Sequence, residues 1–331
     1  MGGTQPVESR ELGLRTGSND DSAFLKSPWL LFAVICGVIV SFGLIVATAS
    51  NFGHDFRVFW QASRATNVYT ADPFGPFVYP PTALVWIKPL ALLPFWPAFA
   101  LWSVMSLAAF MTVARKWLLL LSPVVVQCLV YGQTSLLIGA LILYAANRPS
   151  WARGALLGLA LTLKPQVVFL APLVLFARKD WDALCGLVGG VALSVAVSVA
   201  LFGFRPWSDW IAALPLFGDD LAARNLWWVT ITPYGTAMRF GLNPYPFWIA
   251  GVVLALVAAW RSRTDLAATI VLTSILASPY AMVNDLAAAL PFALTSMGMA
   301  GALIYSAALA PLALAVFAFD QGFRLRRRGF S

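Results

Sequence analysis

The sequence predicts an all-α polytopic membrane protein, and three observations carry that expectation. Hydrophobic residues make up 60% of the chain and charged residues only 11%, where a soluble domain carries roughly 25% charged. The stretches WLLFAVICGVIVSFGLIVATA (29–49) and ALCGLVGGVALSVAVSVALFGF (183–204) each supply the ~20 apolar residues that a helix needs to cross the hydrocarbon core. Neither run alternates apolar with polar residues, which argues against a transmembrane barrel.

The elements follow in order. Residues 1–27 are polar, charged and rich in Gly and Ser, and read as a disordered cytoplasmic leader. They carry no signal-peptide pattern, because the apolar stretch that follows starts late and is too long for an h-region without a small-residue cleavage site. The membrane domain is expected over 28–320, with a first span at roughly 28–49 and a later one at roughly 183–203. Basic residues fall in short clusters at the ends of apolar segments: ARK at 114, ARK at 177, RSR at 261 and RLRRR at 324. By the positive-inside rule they mark cytoplasmic loops and a basic cytoplasmic tail at 321–331. They also account for the net charge of +8 without a nucleic-acid partner. Both termini are then inside, and the loops at 50–82 and 204–228 share the outer face of a cytoplasmic (inner) membrane.

Several apolar pieces are too short to span or are broken by Pro and Gly: TALVWIKPLALLP, LLLLSPVVVQCLVYGQ, GALLGLALTLKPQ and WVTITPYGTAMRFG. Non-helical backbone at membrane depth is tolerated only where protein buries it or a wet cavity lies beside it. A cavity is therefore expected, within about ten crossings and one or two partial helices. No internal repeat is visible, which disfavours an inverted-repeat transporter. Cys36, Cys128 and Cys185 sit inside apolar runs and read as small buried hydrophobes. His54 is the only imidazole, and no cysteine pair has ligand spacing, so no metal site is expected. A divalent cation shared with a phosphate would need only one or two carboxylates and stays open.

The first outer loop concentrates chemistry: His54, Asp55, Arg57, Arg64 and Asp72 lie together among aromatics. His54, Asp55, Val58, Phe59 and Ala62 have helical spacing, which predicts an amphipathic helix over 54–66 in the interface plane. Asp55 either caps that helix or works as a carboxylate beside the cavity, where ionisable groups tend to be functional. Asp72 lies in ADPFGP, a turn signature, and is the second candidate base. FVYPP (77–81) ends any preceding helix and returns the chain to the membrane, with Tyr79 facing substrate. YGQTS places Gln133 between two apolar pieces. Lys164 either snorkels to an interface or faces the cavity as an anion partner. SPYAMVND offers Tyr280, Asn284 and Asp285 at the outer side, where Asp285 either serves the site or simply N-caps the next helix. Aromatics stack on sugar faces, cations hold a phosphate and a carboxylate takes a hydroxyl proton. Such a cavity suits a lipid-linked anionic donor and a hydroxyl-bearing acceptor. A transporter or flippase of a lipid-linked saccharide, and a non-catalytic assembly partner, are the rivals. Carboxylates concentrated in outer loops rather than at the midplane favour chemistry.

HDFRVFWQASR, then VYTADPFGPFVYPPTALVWIKPLALLPFWPAFALW, then GQTSLLIGALILYAANRPSWARGALLGLALTLKPQVVFLAPLVLF, in that order, resemble glycosyltransferase family 87, polytopic enzymes of the GT-C class. The resemblance covers most of 51–180, with an echo in SPYAMVNDLAAALP. It implies a GT-C-like bundle of about 10–12 transmembrane helices with short interfacial and re-entrant helices on the outer side. It also implies transfer of one sugar, mannose or a relative, from a polyprenyl-phosphate donor to a glycan or glycolipid. In this family's pattern Asp55 matches an inverting general base. Lys164, with Arg57, Arg64 and His54, would then face the donor phosphate, His54 alternatively tuning Asp55.

Overall fold

The structure, a computed structural model, describes residues 28–47, 52–69, 77–223, 227, 230–261, 265–296, 299–306 and 311–316. The leader, the basic tail and Asp72 lie outside the described residues. Among those described, the regular elements are helical, and extended backbone pairs in one isolated bridge between Thr230 and Met282.

Helix α1 (Pro28–Ala47) precedes the short α2 (His54–Arg64), and a broken helical segment, Pro81–Leu92, leads to α3 (Phe95–Ala114). Next come α4 (Pro123–Tyr131), α5 (Ser135–Ala146) and α6 (Ser150–Leu163). A turn through Lys164 leads to α7 (Ala171–Ala177), α8 (Trp181–Phe202) and α9 (Arg205–Ala223). Then follow α10 (Pro233–Arg239), α11 (Pro244–Arg261), α12 (Leu266–Ala277), a 3₁₀ stretch Val283–Ala289, α13 (Leu290–Ser296) and α14 (Met299–Tyr305). The segment read as a second outer loop is thus largely helical.

Helices α1, α3, α8 and α11 are long and apolar enough to cross a bilayer. Phe42, Val104, Val188, Leu193 and Ile249 on these helices are exposed, a belt that in water would be a liability and in lipid is the solvent-facing surface. The shorter apolar helices are of another kind. Every residue of α12 is buried, although its 12 residues span only about 18 Å of a roughly 30 Å core. Protein, not lipid, satisfies its ends: Asp265 Oδ1 accepts the Ala268 N–H at 2.7 Å at the start, and Trp248 Nε1–H donates to the Ala277 carbonyl at 2.9 Å at the finish.

Helices α6 and α8 pack backbone against backbone. Each carries a small-xxx-small motif, Gly154 with Gly158 and Gly186 with Gly190. A Cβ at Gly154 would stand 1.8 Å from the Ala183 carbonyl oxygen, and one at Gly190 would stand 2.2 Å from that of Ala155. Neither obstacle is a side chain that can swing aside. Gly154→Val is therefore expected to lower the thermal midpoint and the yield of monodisperse protein in detergent, costing more than the roughly 1–3 kcal/mol of ordinary overpacking. Gly43→Val, where an added Cβ meets nothing within 4 Å, should leave both within error, and equal losses from the two would contradict this packing.

Candidate functional site

Helix α2 starts at Gly53, whose left-handed backbone (φ 72°) turns the chain into the helix, and no side chain caps it. Asp55 is therefore not a cap. Its Oδ1 accepts the Nδ1–H of His54 at 3.0 Å, in the tautomer a carboxylate selects, and its Oδ2 accepts an amide N–H of Gln133. Aromatic packing anchors the helix. Phe56 packs against Phe95, Phe99 and Trp102 at centroid distances of 5.8, 5.6 and 6.0 Å, and Phe59 meets Tyr79 edge-on at 5.0 Å.

Gln133 reaches Asp55 because α4 ends at Gly132 (φ 71°), where the Gly132 and Gln133 N–H groups both close on the Cys128 carbonyl. This glycine ending reverses the chain into α5. A Cβ there would stand 2.5 Å from that of Phe56, and Trp102 Nε1–H holds the Gly132 carbonyl at 3.1 Å.

Lys164 ends α6, where Pro165 cannot continue the helix. Only 3% exposed, it does not snorkel. Its Nζ lies 2.5 Å from Asp285 Oδ1 and donates to Ser135 Oγ at 2.5 Å. Ser135 in turn donates to Asp285 Oδ1 at 3.2 Å and accepts the Asn284 amide at 3.2 Å. Asp285 Oδ2 accepts the Met282 N–H at 3.0 Å. Asp285 thus caps the 3₁₀ stretch and neutralises Lys164 with the same carboxylate. An ammonium has three N–H donors, so two engaged ones leave a third for a ligand.

Both clusters line one cavity of about 290 Å³, together with Tyr79, Gln166, Tyr280 and one face of α9. That face presents Trp210, Leu214, Phe217 and Asp220 to the cavity. It is fastened by Trp210 Nε1–H to the Val78 carbonyl at 3.0 Å and by Phe217 edge-on to Tyr280 at 4.8 Å. Sequence reasoning passed over Asp220, although the spacing of Trp210, Leu214 and Phe217 carried the helical signal. Tyr69 donates to the Tyr79 carbonyl at 2.9 Å, and burial, reinforced by the charge of Asp209, keeps its phenol protonated far above the usual range.

A second, apolar cavity of about 380 Å³ adjoins the first, sharing Tyr79 and Leu163 as lining. It runs between α3 and α5, and along α3 it extends from Trp102 to Val113, about 16 Å at 1.5 Å per residue. At the shared wall the Tyr79 hydroxyl pairs with Thr134 Oγ1 at 3.0 Å.

Arg57 and Arg64 are not brought to the cavity. At ~100° per residue they stand about 200° and 180° around α2 from Asp55. Arg57 lies over the Phe95 ring at 4.6 Å, and Arg64 lies over Trp60 at 4.2 Å while donating to the Ala91 carbonyl at 3.1 Å. The basic side chains lining the cavity, among the described residues, are His54 and Lys164. Among the described residues, no three His, Cys, Asp or Glu side chains converge as a metal cage would.

The model of a family described as Glycosyltransferase family 87 matches residues 77–282. The matched stretch contains Tyr79, Gln133, Lys164 and Tyr280. It begins after His54 and Asp55 and ends before Asn284 and Asp285. No curated protein and no solved structure matches the chain.

The buried ion pair gives a direct stability test. Lys164→Met or Asp285→Leu alone strands a charge, and each should cost about 3–5 kcal/mol, read as the thermal midpoint in lipid nanodiscs. The double substitution removes both charges and should recover most of that loss. Losses that simply add would contradict a coupled pair.

Proposed function

The chain belongs to glycosyltransferase family 87, and from that premise we propose that it moves a hexosyl residue from a polyprenyl-phosphate donor to a hydroxyl of a glycan or glycolipid. Family membership and the four apolar spans make it a membrane-bound glycosyltransferase. The donor, the sugar, the outer-side location and the inverting course are our reading, with mannose the first sugar to test.

The observation that carries this reading is the junction at Tyr79, where a cavity that carries charged and amide side chains, a buried lysine among them, meets a groove lined almost wholly by apolar residues. A polyprenyl phosphate has that same division, a charged head on a hydrocarbon tail. In this reading the tail lies between α3 and α5, the phosphate accepts the remaining donor of Lys164, and the acceptor enters beside Asp55. The basic clusters sit at the ends of apolar segments away from the His54–Asp55 loop, which supports an outward-facing site.

Asp55 acts as the base. A carboxylate offers about four lone-pair sites, so the bonds from His54 and Gln133 leave one on each oxygen for the acceptor hydroxyl. The hydroxyl oxygen attacks the anomeric carbon as its proton passes to Asp55. The bond from anomeric carbon to phosphate oxygen breaks, the electron pair leaves with the phosphate, and the configuration inverts. Phosphate is a good leaving group, so cationic stabilisation by Lys164 replaces a general acid. No cofactor enters these steps.

The test uses protein in nanodiscs with labelled polyprenyl-phosphate mannose and an envelope glycolipid fraction. Asp55→Asn should reduce kcat by about 10²–10⁴-fold while donor binding and the thermal midpoint persist. Equal transfer by both proteins would remove Asp55 from the chemistry. Passage of labelled lipid across the bilayer without transfer would favour a transporter instead. Wild-type transfer should also survive EDTA, and its loss on chelation would assign a divalent cation a part in the reaction.

A further inference from the structure

Asn284 is 1% exposed and lines the cavity that holds Asp55 and Lys164, yet its Oδ1 has no hydrogen-bond partner among the described residues. The neighbouring polar groups are engaged. Lys164 and Asn284 donate to Ser135, Ser135 donates to Asp285, and Asp285 takes Lys164 and the Met282 N–H. With the Ser135 proton on Asp285, the serine oxygen can only accept from Asn284, which fixes the amide with its nitrogen toward Ser135. The orphan is therefore an acceptor. A buried acceptor left unpaired costs about 1–3 kcal/mol, so one kept in a satisfied cluster beside a cavity calls for a partner.

Its position says which partner. Ser135, which holds Asn284, is two residues from Gln133, which holds Asp55, and two residues span at most about 7 Å. Ser135 also holds Lys164. Asn284 thus sits beside the phosphate-binding lysine of the proposed reaction and lines the cavity that also holds the base. In a displacement at the anomeric carbon, that space belongs to the ring of the sugar in transit, whose hydroxyls are donors.

We infer that Asn284 Oδ1 accepts a hydrogen bond from one ring hydroxyl of the transferred sugar and so makes Asn284 a specificity-determining residue for the donor. The inference rests on the reading that Asp55 and Lys164 flank the reacting centre. It assigns to Asn284 selection for a hydroxyl at one ring position over a donor lacking it, by about 10- to 100-fold in kcat/KM, the cost of an unpaired buried acceptor.

The test compares polyprenyl-phosphate mannose with its 2-, 3-, 4- and 6-deoxy analogues in nanodiscs, for wild type and Asn284→Ala. In wild type one deoxy donor should lose 10- to 100-fold more than the others. In Asn284→Ala that penalty alone should vanish, the parent donor falling to the level of its deoxy analogue. Because each value is a ratio within one protein, a general loss of activity cancels. Should Asn284→Ala not fold, Asn284→Ser, which keeps a hydroxyl toward Ser135, gives the same comparison. Every penalty retained in the variant, or no position-specific penalty in wild type, overturns the inference while the transferase reading stands. Wild type that transfers from no polyprenyl-phosphate sugar overturns that reading and the inference together.

Discussion

The buried pair of Lys164 and Asp285 is the interaction on which the site depends. Desolvating two charges at 3% and 4% exposure is recovered only when geometry is close and the remaining polar groups are satisfied. Ser135 and the Met282 N–H meet that requirement, and in doing so they tie the end of α6, the start of α5 and the Val283–Ala289 stretch to one point. Everything nearby takes its position from there. Gln133, two residues before Ser135, lies where its amide can hold Asp55, and Asn284 is fixed beside the charge it does not itself carry.

Around that point the architecture follows from the bilayer as solvent. Long helices supply the lipid-facing surface, whereas a short one such as α12 is admissible because protein buries it throughout. Pieces that stop partway leave room for a cavity that carries charged and amide side chains, and the stretch between α3 and α5 leaves an apolar groove beside it. A substrate with a charged head and a hydrocarbon tail can use both without either half crossing an unfavourable environment.

The long apolar helices and the amphipathic helix were legible because their signals are local. The expected spans at 28–49 and 183–203 correspond to Pro28–Ala47 and Trp181–Phe202, and the amphipathic register over 54–66 to His54–Arg64. Lysine 164 was legible as a charge out of place. Its partner was not, because Lys164 and Asp285 meet across 121 positions and no local pattern announces such a contact. Arg57 and Arg64 looked like phosphate ligands by composition, but helical phase turns them onto Phe95 and Trp60 instead. The α9 face escaped notice because Pro215 and the aspartates around it read as a loop, while its aromatic spacing was that of a helix.

The most direct measurement is a cryo-EM structure of the protein in lipid nanodiscs with a polyprenyl phosphate bound. The phosphate should lie within hydrogen-bond distance of Lys164 Nζ, on the cavity side of Tyr79, with the first isoprenoid units between α3 and α5. A phosphate held elsewhere, or a tail leaving the cavity by another path with the α3–α5 groove empty, would contradict the claim that the two cavities are one substrate site.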